Sequence, residues 1–346
     1  MQIIDNPYRG QGLEIADIPL PSVAADAPLA LLQRCPAHAA TPMTEATSLA
    51  EAMGVARVFV KDERGRMGLG SFKALGAAYV IAHAAASQSG DPRSALAGEC
   101  YVTASAGNHG LSVAAGAAIF GARSVIYLSE TVPQEFAMRL REKGAEVIRS
   151  GQDYEESMQA AFDAAASQGW TLLSDSSWES YTDLPHLLME GYLAMAAECV
   201  VQMDVAPTHI LLQAGVGGMA GACAALFRDQ WGEEPRIVVV EPEAAPALYE
   251  SIRAGEAVET AGPVSSMGRL DCKAPSLIAL RGLARDTDEF VLISDAEAMA
   301  VLPLLAGAGL ESTPSGAAGL AAALADPQLL GLTPSSRVLA ILSEAA

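Results

Sequence analysis

From Cys100 to Leu173 strand-like and helix-like stretches alternate: strand Cys100–Thr103, helix Leu111–Phe120, strand Ser124–Leu128, helix Glu135–Lys143, strand Glu146–Ile148, helix Tyr154–Ser167 and strand Thr171–Leu173. Gly144 sits where a helix-ending residue is wanted. A helix between consecutive strands carries the chain back to start the next strand in the same direction. The alternation therefore predicts an open parallel sheet covered by helices. The composition agrees, with 51% hydrophobic but only 5% aromatic residues. A core of Ala, Val, Leu and Ile suits parallel strands buried under closely packed helices.

The same alternation frames the rest of the 346 residues, enough for two domains or one large α/β unit. Upstream, strand Ala56–Lys61 leads through a glycine-broken segment to Gly70-Ser71-Phe72-Lys73-Ala74-Leu75-Gly76 and a helix over Ala74–Ala86. Downstream, the long helix Leu187–Gln202 precedes strand His209–Gln213, a glycine run, a helix to Phe227 and strand Arg236–Glu241. Strand Phe290–Ile293 ends at Ser294, a cap for the helix opening Asp295-Ala296-Glu297. An alanine-rich helix to Leu324 and strand Val338–Leu342, with Ser343 at its tip, complete the pattern. Residues 1–35, punctuated by Pro7, Pro21 and Pro28, read as a covering arm without chemistry.

The net charge of -20, from 21 basic and 41 acidic side chains, opposes any nonspecific nucleic-acid or anionic-membrane role. Cys35, Cys100, Cys199, Cys223 and Cys272 are scattered without metal-ligand spacing, so neither a disulfide framework nor a metal site is expected. The N-terminal residues show no signal-peptide pattern, and no long uninterrupted apolar run suggests a membrane span. A cytoplasmic protein is expected.

Three stretches carry candidate chemistry. Lys73 lies at the mouth of a helix, where the positive end of the backbone dipole disfavours the ammonium and leaves more free amine; alone, it is equally a first-turn surface lysine. Gly215-Val216-Gly217-Gly218-Met219, between a strand and a helix, lets backbone amides converge on a phosphate. Close helix packing is the alternative use of those glycines. In Ser105-Ala106-Gly107-Asn108-His109-Gly110 the Asn108 amide can donate to a ring oxygen, and Ser105 with the following amides can hold a carboxylate. Turn formation and a carbonyl satisfied by His109 explain the same residues.

Taken together, the order SxKxxG, SAGNHG, GVGGMAG, SGAAG and a final strand tipped by Ser343 resembles the fold-type II pyridoxal-phosphate enzymes, the tryptophan synthase β group. The resemblance covers about residues 40–346. It implies two open twisted α/β domains with pyridoxal 5'-phosphate between them: residues 1–74 plus 190–346 as the large cofactor-binding domain, and 75–189 as the small one. It also implies cofactor attachment at Lys73, Asn108 beside the 3'-oxygen, Gly215 to Met219 around the phosphate, and Ser343 at the pyridine nitrogen.

Within that group the chain is similar to the diaminopropionate ammonia-lyase family in SFKALGAAY, GNHGLSVAAGAAIFGA, Ser174–Thr182, PTHILLQAGVGGMAGA and Gly268–Ser276. That likeness implies β-elimination of an amino group from 2,3-diaminopropionate to pyruvate and ammonia, with Lys73 and Asp175 catalytic. Ser105, Ala106, Gly107, His109, Asp271 and Lys273 are then the substrate-binding candidates. Asp175 also reads as a loop or helix cap, and Asp271 with Lys273 as a loop ion pair. One departure stands out: the family carries an acid where this chain has Ala106, which implies one base, Lys73, and preference for the L isomer. A serine, threonine or 3-hydroxyaspartate dehydratase is the nearest rival, followed by a β-replacement synthase and a noncatalytic binding protein of the same fold. The family likeness implies a homodimer acting on a small amino acid.

Overall fold

Alternate residues of the central strands point to opposite faces of one large sheet, and both faces are dry. The computed structural model describes residues 1–346. Its strands are β1 (Gln2–Asp5), β2 (Met43–Glu45), β3 (Arg57–Asp62), β4 (Cys100–Ala104), β5 (Arg123–Leu128), β6 (Glu146–Arg149), β7 (Thr171–Leu172), β8 (His209–Gln213), β9 (Arg236–Pro242), β10 (Glu289–Ile293) and β11 (Arg337–Leu342). They form a seven-stranded sheet, ordered β1-β10-β9-β8-β11-β3-β2, and a four-stranded sheet, β6-β5-β4-β7.

In the large sheet Phe59, Ile210, Ile237, Val239, Phe290 and Leu339 join one core, whereas Val58, Val60, Leu211, Val238, Val240 and Val338 join the other. This period-two sorting is why these strands are continuous apolar runs. Full burial of each such side chain stabilises by about 1.5–3 kcal/mol relative to exposure. From β10 to β3 the strands are parallel; β1 and β2 pair antiparallel at the two edges. All pairs in the small sheet are parallel.

Near the N-terminus and at the asparagine turn the structure differs from the sequence reading. Residues 2–5 are not part of a loose cover but an edge strand, in register from Gln2↔Leu292 to Asp5↔Glu289. The helix after the SAGN turn starts at Asn108 rather than Leu111, because Asn108, His109 and Gly110 all enter the first helical turn. The Ser294 cap is present with its reciprocal Glu297 bond.

Helix Asp183–Gln202 is long and apolar enough to cross a membrane, but it lies in the interior, with Leu188, Met189, Leu193 and Cys199 buried. It packs against the Lys73–Ala86 helix at a close crossing. A Cβ on Gly191 would stand 2.5 Å from the Leu75 carbonyl oxygen and 3.0 Å from Tyr79 Cβ. Gly191→Ala is therefore expected to force these helices apart and cost about 1–3 kcal/mol, read as a lower denaturant midpoint at unchanged slope. An unchanged midpoint would mean that the crossing gives way freely.

The lead-in to Lys73 is fixed by a buried ionic network. Lys61 Nζ lies 2.6 Å from Glu198 Oε2, and the Arg66 guanidinium lies 2.7 Å from both Glu63 and Glu198. The Thr41 hydroxyl bonds Glu63 at 2.5 Å. Each charge has a partner, which offsets the large cost of removing it from water.

Candidate active site

Parallel α/β sheets present ligands at the carboxyl ends of their strands. In the large sheet β8, β11 and β3 are neighbours, and their carboxyl ends run out into Gly215, Ser343 and the segment leading to Lys73. In the small sheet β4 and β7 are neighbours and lead to Asn108 and Asp175. The two sets meet where Lys73 Nζ donates to Asp175 Oδ2.

Lys73 is the first residue of its helix, which starts one residue before the expected Ala74. The backbone holds it from the C-terminal side of the sheet: Phe72 N–H donates to the Ser343 carbonyl at 3.1 Å, Ala345 N–H to the Gly70 carbonyl at 2.9 Å, and Ser71 bridges Glu344. Gly70 has φ +82°, a left-handed conformation that favours glycine. The expected depression of the Lys73 ammonium does not occur. Burial opposes the charge, but the Asp175 carboxylate outweighs it and holds Lys73 well above the ordinary lysine range. Burial likewise pushes the Asp175 carboxyl up, and the Lys73 charge, then His109, pull it below the ordinary range. Both therefore stand ionised, a close pair opposing a weaker helix dipole.

The glycine loop is pressed between two walls. A Cβ on Gly215 would lie 2.9 Å from Cys272 Sγ and 3.1 Å from Leu270 Cα, and one on Gly217 would lie 3.0 Å from Ala279 Cβ. Gly217, with φ +95°, is the N-cap of helix Gly218–Trp231, and no side chain caps that helix. The first amides of the helix are left for an anion. Val216 anchors the loop by accepting from Ser276 N–H at 2.9 Å, and Gly218 and Met219 begin the buried helix.

Across the cleft, Asn108 Nδ2 donates to Glu344 Oε2. The Glu344 Oε1 accepts from the Thr313 hydroxyl at 2.5 Å, and its carbonyl from the Ser312 hydroxyl at 2.6 Å. Glu344 is 5% exposed and thus ties the asparagine turn to the SGAAG loop and to Ser71. The Ser343 backbone is bonded to Phe72 and Gly316. Ser105 Oγ accepts from Gly107 N–H at 3.2 Å, which shapes the turn around partly buried Ala106. His109 lies 2.8 Å from the Leu173 carbonyl through Nε2. Since a carbonyl only accepts, Nε2 carries the proton; Nδ1 is buried without a partner. Burial holds this imidazole below its ordinary pKa, against the pull of Asp175.

Asp271 and Lys273 are brought to one another rather than to the lysine. Lys273 Nζ lies 2.5 Å from Asp271 Oδ1 and donates to the carbonyls of Ala244 at 2.7 Å and Pro263 at 3.0 Å. Asp271 also accepts from Ser265 N–H at 3.2 Å. Both residues build the loop over the glycine cradle. Several side chains at the site have no local sequence signal. Tyr192 stands with its ring 6.0 Å from Lys73 Nζ. Cys272 adjoins the cradle, its thiol pushed up to about 12 by burial and then by Asp175. Tyr154 opens the Tyr154–Gln168 helix, and desolvation, then the Asp175 charge, raise its phenol. Glu344 could have been found only by its adjacency to Ser343.

A lysine amine, an uncapped helix start free for a phosphate, and a serine at a neighbouring strand end form one face of a slot whose other face carries Asn108. These residues fit a phosphorylated pyridine aldehyde: Lys73 would hold the aldehyde carbon, the Gly217 turn the phosphate, and Ser343 the ring nitrogen. The chain belongs to the pyridoxal-phosphate dependent enzyme family, matched over residues 35–344. Its cofactor is pyridoxal 5'-phosphate, and its two α/β sheet units have the fold-type II arrangement.

Within that family the chain is 33% identical over 281 residues to the diaminopropionate ammonia-lyase of Escherichia coli (strain K12), covering 77% of this chain and 71% of that one. It is 32% identical over 235 residues to an L-threonine ammonia-lyase of Geobacter sulfurreducens, covering 67% and 56%. The structure superposes with a TM-score of 0.88 and 29% identity on the Escherichia coli diaminopropionate ammonia lyase crystallised with an aminoacrylate-PLP azomethine reaction intermediate, covering 99% of this chain and 93% of that one.

Proposed function

We propose that this enzyme eliminates ammonia from Cβ of L-2,3-diaminopropionate and yields pyruvate and ammonia. The ion pair between Lys73 and Asp175 carries the reading. In support, an ionised carboxylate stands beside the amine that takes the proton, where a substrate's β-ammonium can replace the lysine as counter-ion.

When bound, the cofactor supplies an electron sink for the Cα carbanion. The chain does the rest. Lys73 gives up its own proton as the substrate's β-ammonium takes its place beside Asp175, and its Nζ, now a neutral amine, removes the Cα proton. Asp175 keeps the β-amino group protonated, so that the Cβ–N bond breaks with its electron pair leaving on neutral ammonia. The resulting 2-aminoacrylate takes up water, which releases pyruvate and a second ammonia. With Ala106 in the asparagine turn, no second acid faces Lys73 from that segment, and proton removal from one face selects the L isomer.

Stoichiometry tests this directly. Diaminopropionate is expected to yield two ammonia per pyruvate, whereas serine, threonine or 3-hydroxyaspartate would yield one ammonia per keto acid. Keto acid from the hydroxy amino acids, with none from either isomer of diaminopropionate, would overturn the assignment. A hydroxy amino acid dehydratase is the second reading, favoured by Ala106; there Asp175 would serve the hydroxyl leaving group.

Residues 1–74 with 190–346 are taken as the large domain and 75–189 as the small one. In support, every strand of the seven-stranded sheet lies in the first set and every strand of the four-stranded sheet in the second. A cytoplasmic homodimer is the proposed form, supported by the family likeness.

A further inference from the structure

Arg269 belongs to the loop over the glycine cradle and takes no part in the proton transfers of the elimination. Its backbone N–H donates to the Ser315 hydroxyl at 3.1 Å, and its carbonyl oxygen packs against Gly215, 3.2 Å from where a Cβ there would stand. From there the side chain crosses the cleft. A Cβ on Gly107 would meet its Nη1 at 3.0 Å and Cζ at 3.3 Å, and the guanidinium stands 5.6 Å from the Phe136 ring centroid.

The head group donates no hydrogen bond to a protein acceptor. Its nearest carboxylate is Glu344, whose Oε2 lies 3.7 Å from Nε, within ion-pair but beyond hydrogen-bond distance, and the same oxygen accepts from Asn108. The other two cations of this region are paired, Lys73 with Asp175 and Lys273 with Asp271. On the turn that Arg269 covers, helix Asn108–Ile119 starts at Gly107 with no side-chain cap, which leaves its first backbone N–H groups free to donate. A protein of net charge -20 repels anions at long range, so a carboxylate must be met by a local cation.

We propose that Arg269 binds the α-carboxylate of the substrate over the Ser105–Asn108 turn, and so makes the enzyme select α-amino acids with a free carboxylate over their amides and esters. This deepens the assignment of an amino-acid substrate and rests on it. A planar guanidinium grips a carboxylate through two parallel hydrogen bonds, which a carboxamide cannot accept in the same way. With Arg269 at one end and Asp175 at the other, a diamino acid meets unlike charges at its two ends and binds in one orientation.

The test compares an acid with its own carboxamide in the holoenzyme. For wild type, Arg269→Ala and Arg269→Lys, KM and kcat are measured on diaminopropionate and its α-amide, alongside the cofactor absorbance band. Arg269→Ala is expected to raise KM for the acid about 10- to 100-fold, with kcat within a few-fold, because a charge-assisted contact is lost in ground and transition states alike. The amide should be unaffected and the band retained. Lysine should recover part of the loss, since it restores charge without the fork. Equal losses on acid and amide, or no loss on the acid, would overturn the proposal. If a hydroxy amino acid replaces diaminopropionate as the substrate, the same comparison on that acid and its amide still reads Arg269, while the ammonia-lyase reading alone fails.

Discussion

Lys73→Ala should give a folded protein that shows no cofactor absorbance band and turns over at least about 10⁴-fold more slowly, since one side chain both holds the cofactor and takes the Cα proton. The band and the rate are separate measurements. A band that survives the substitution would show that another lysine carries the cofactor. Exogenous primary amines offer a further check: partial recovery of rate, without recovery of covalent attachment, would isolate the proton-transfer part of the role.

Asp175→Asn keeps the shape of the side chain and removes its charge. Turnover of diaminopropionate is expected to fall about 10²–10⁴-fold, the range for loss of a proton-handling group. An undiminished rate would remove Asp175 from the chemistry. The pair also has a signature in stability. The Asp175 pKa is depressed, so its contribution is complete above the unfolded value of about 4 and is lost as pH falls toward the folded one. The Lys73 pKa is raised, so its contribution is complete below about 10.4 and is lost as pH rises. The two describe one interaction. In cofactor-free protein the stability gap between wild type and Asp175→Asn should therefore be widest between about pH 4 and pH 10 and narrow on both sides. A gap independent of pH would show that the pair does not stabilise the fold.

Much of this architecture could be read from the chain because its determinants are local. Runs such as Ile237–Val240 and Leu339–Ile341 carry strand preference and burial in the same residues. The glycine loop and the lysine at its helix start were visible for the same reason, each lying next to the element that positions it. Helices Ala247–Ala254 and Leu277–Asp286 were missed, since prolines and glycines on either side make that region read as irregular. The contacts of Glu344 and Arg269 were illegible in principle. They join segments as far apart as Ser71 and Glu344, and neither residue carries a local pattern. The charge state of Lys73 failed for a related reason: the helix dipole is a property of nearby sequence, but the carboxylate that overrides it is 102 residues away.

The placement of β11 has a consequence for how the protein comes into being. It comes after every other strand in sequence, yet it lies between β8 and β3 in the sheet, and its end supplies Ser343, Glu344 and the backbone partners of Gly70 and Phe72. As the chain leaves the ribosome, the sheet therefore has a gap at its centre, with two unsatisfied strand edges facing it, until residues 337–342 are added. Closing that gap pairs Val58 with Val338, across almost the whole chain, a slow kind of contact to form. The same closure brings the lysine segment into register, so the site is complete only once residues 337–345 have joined the sheet.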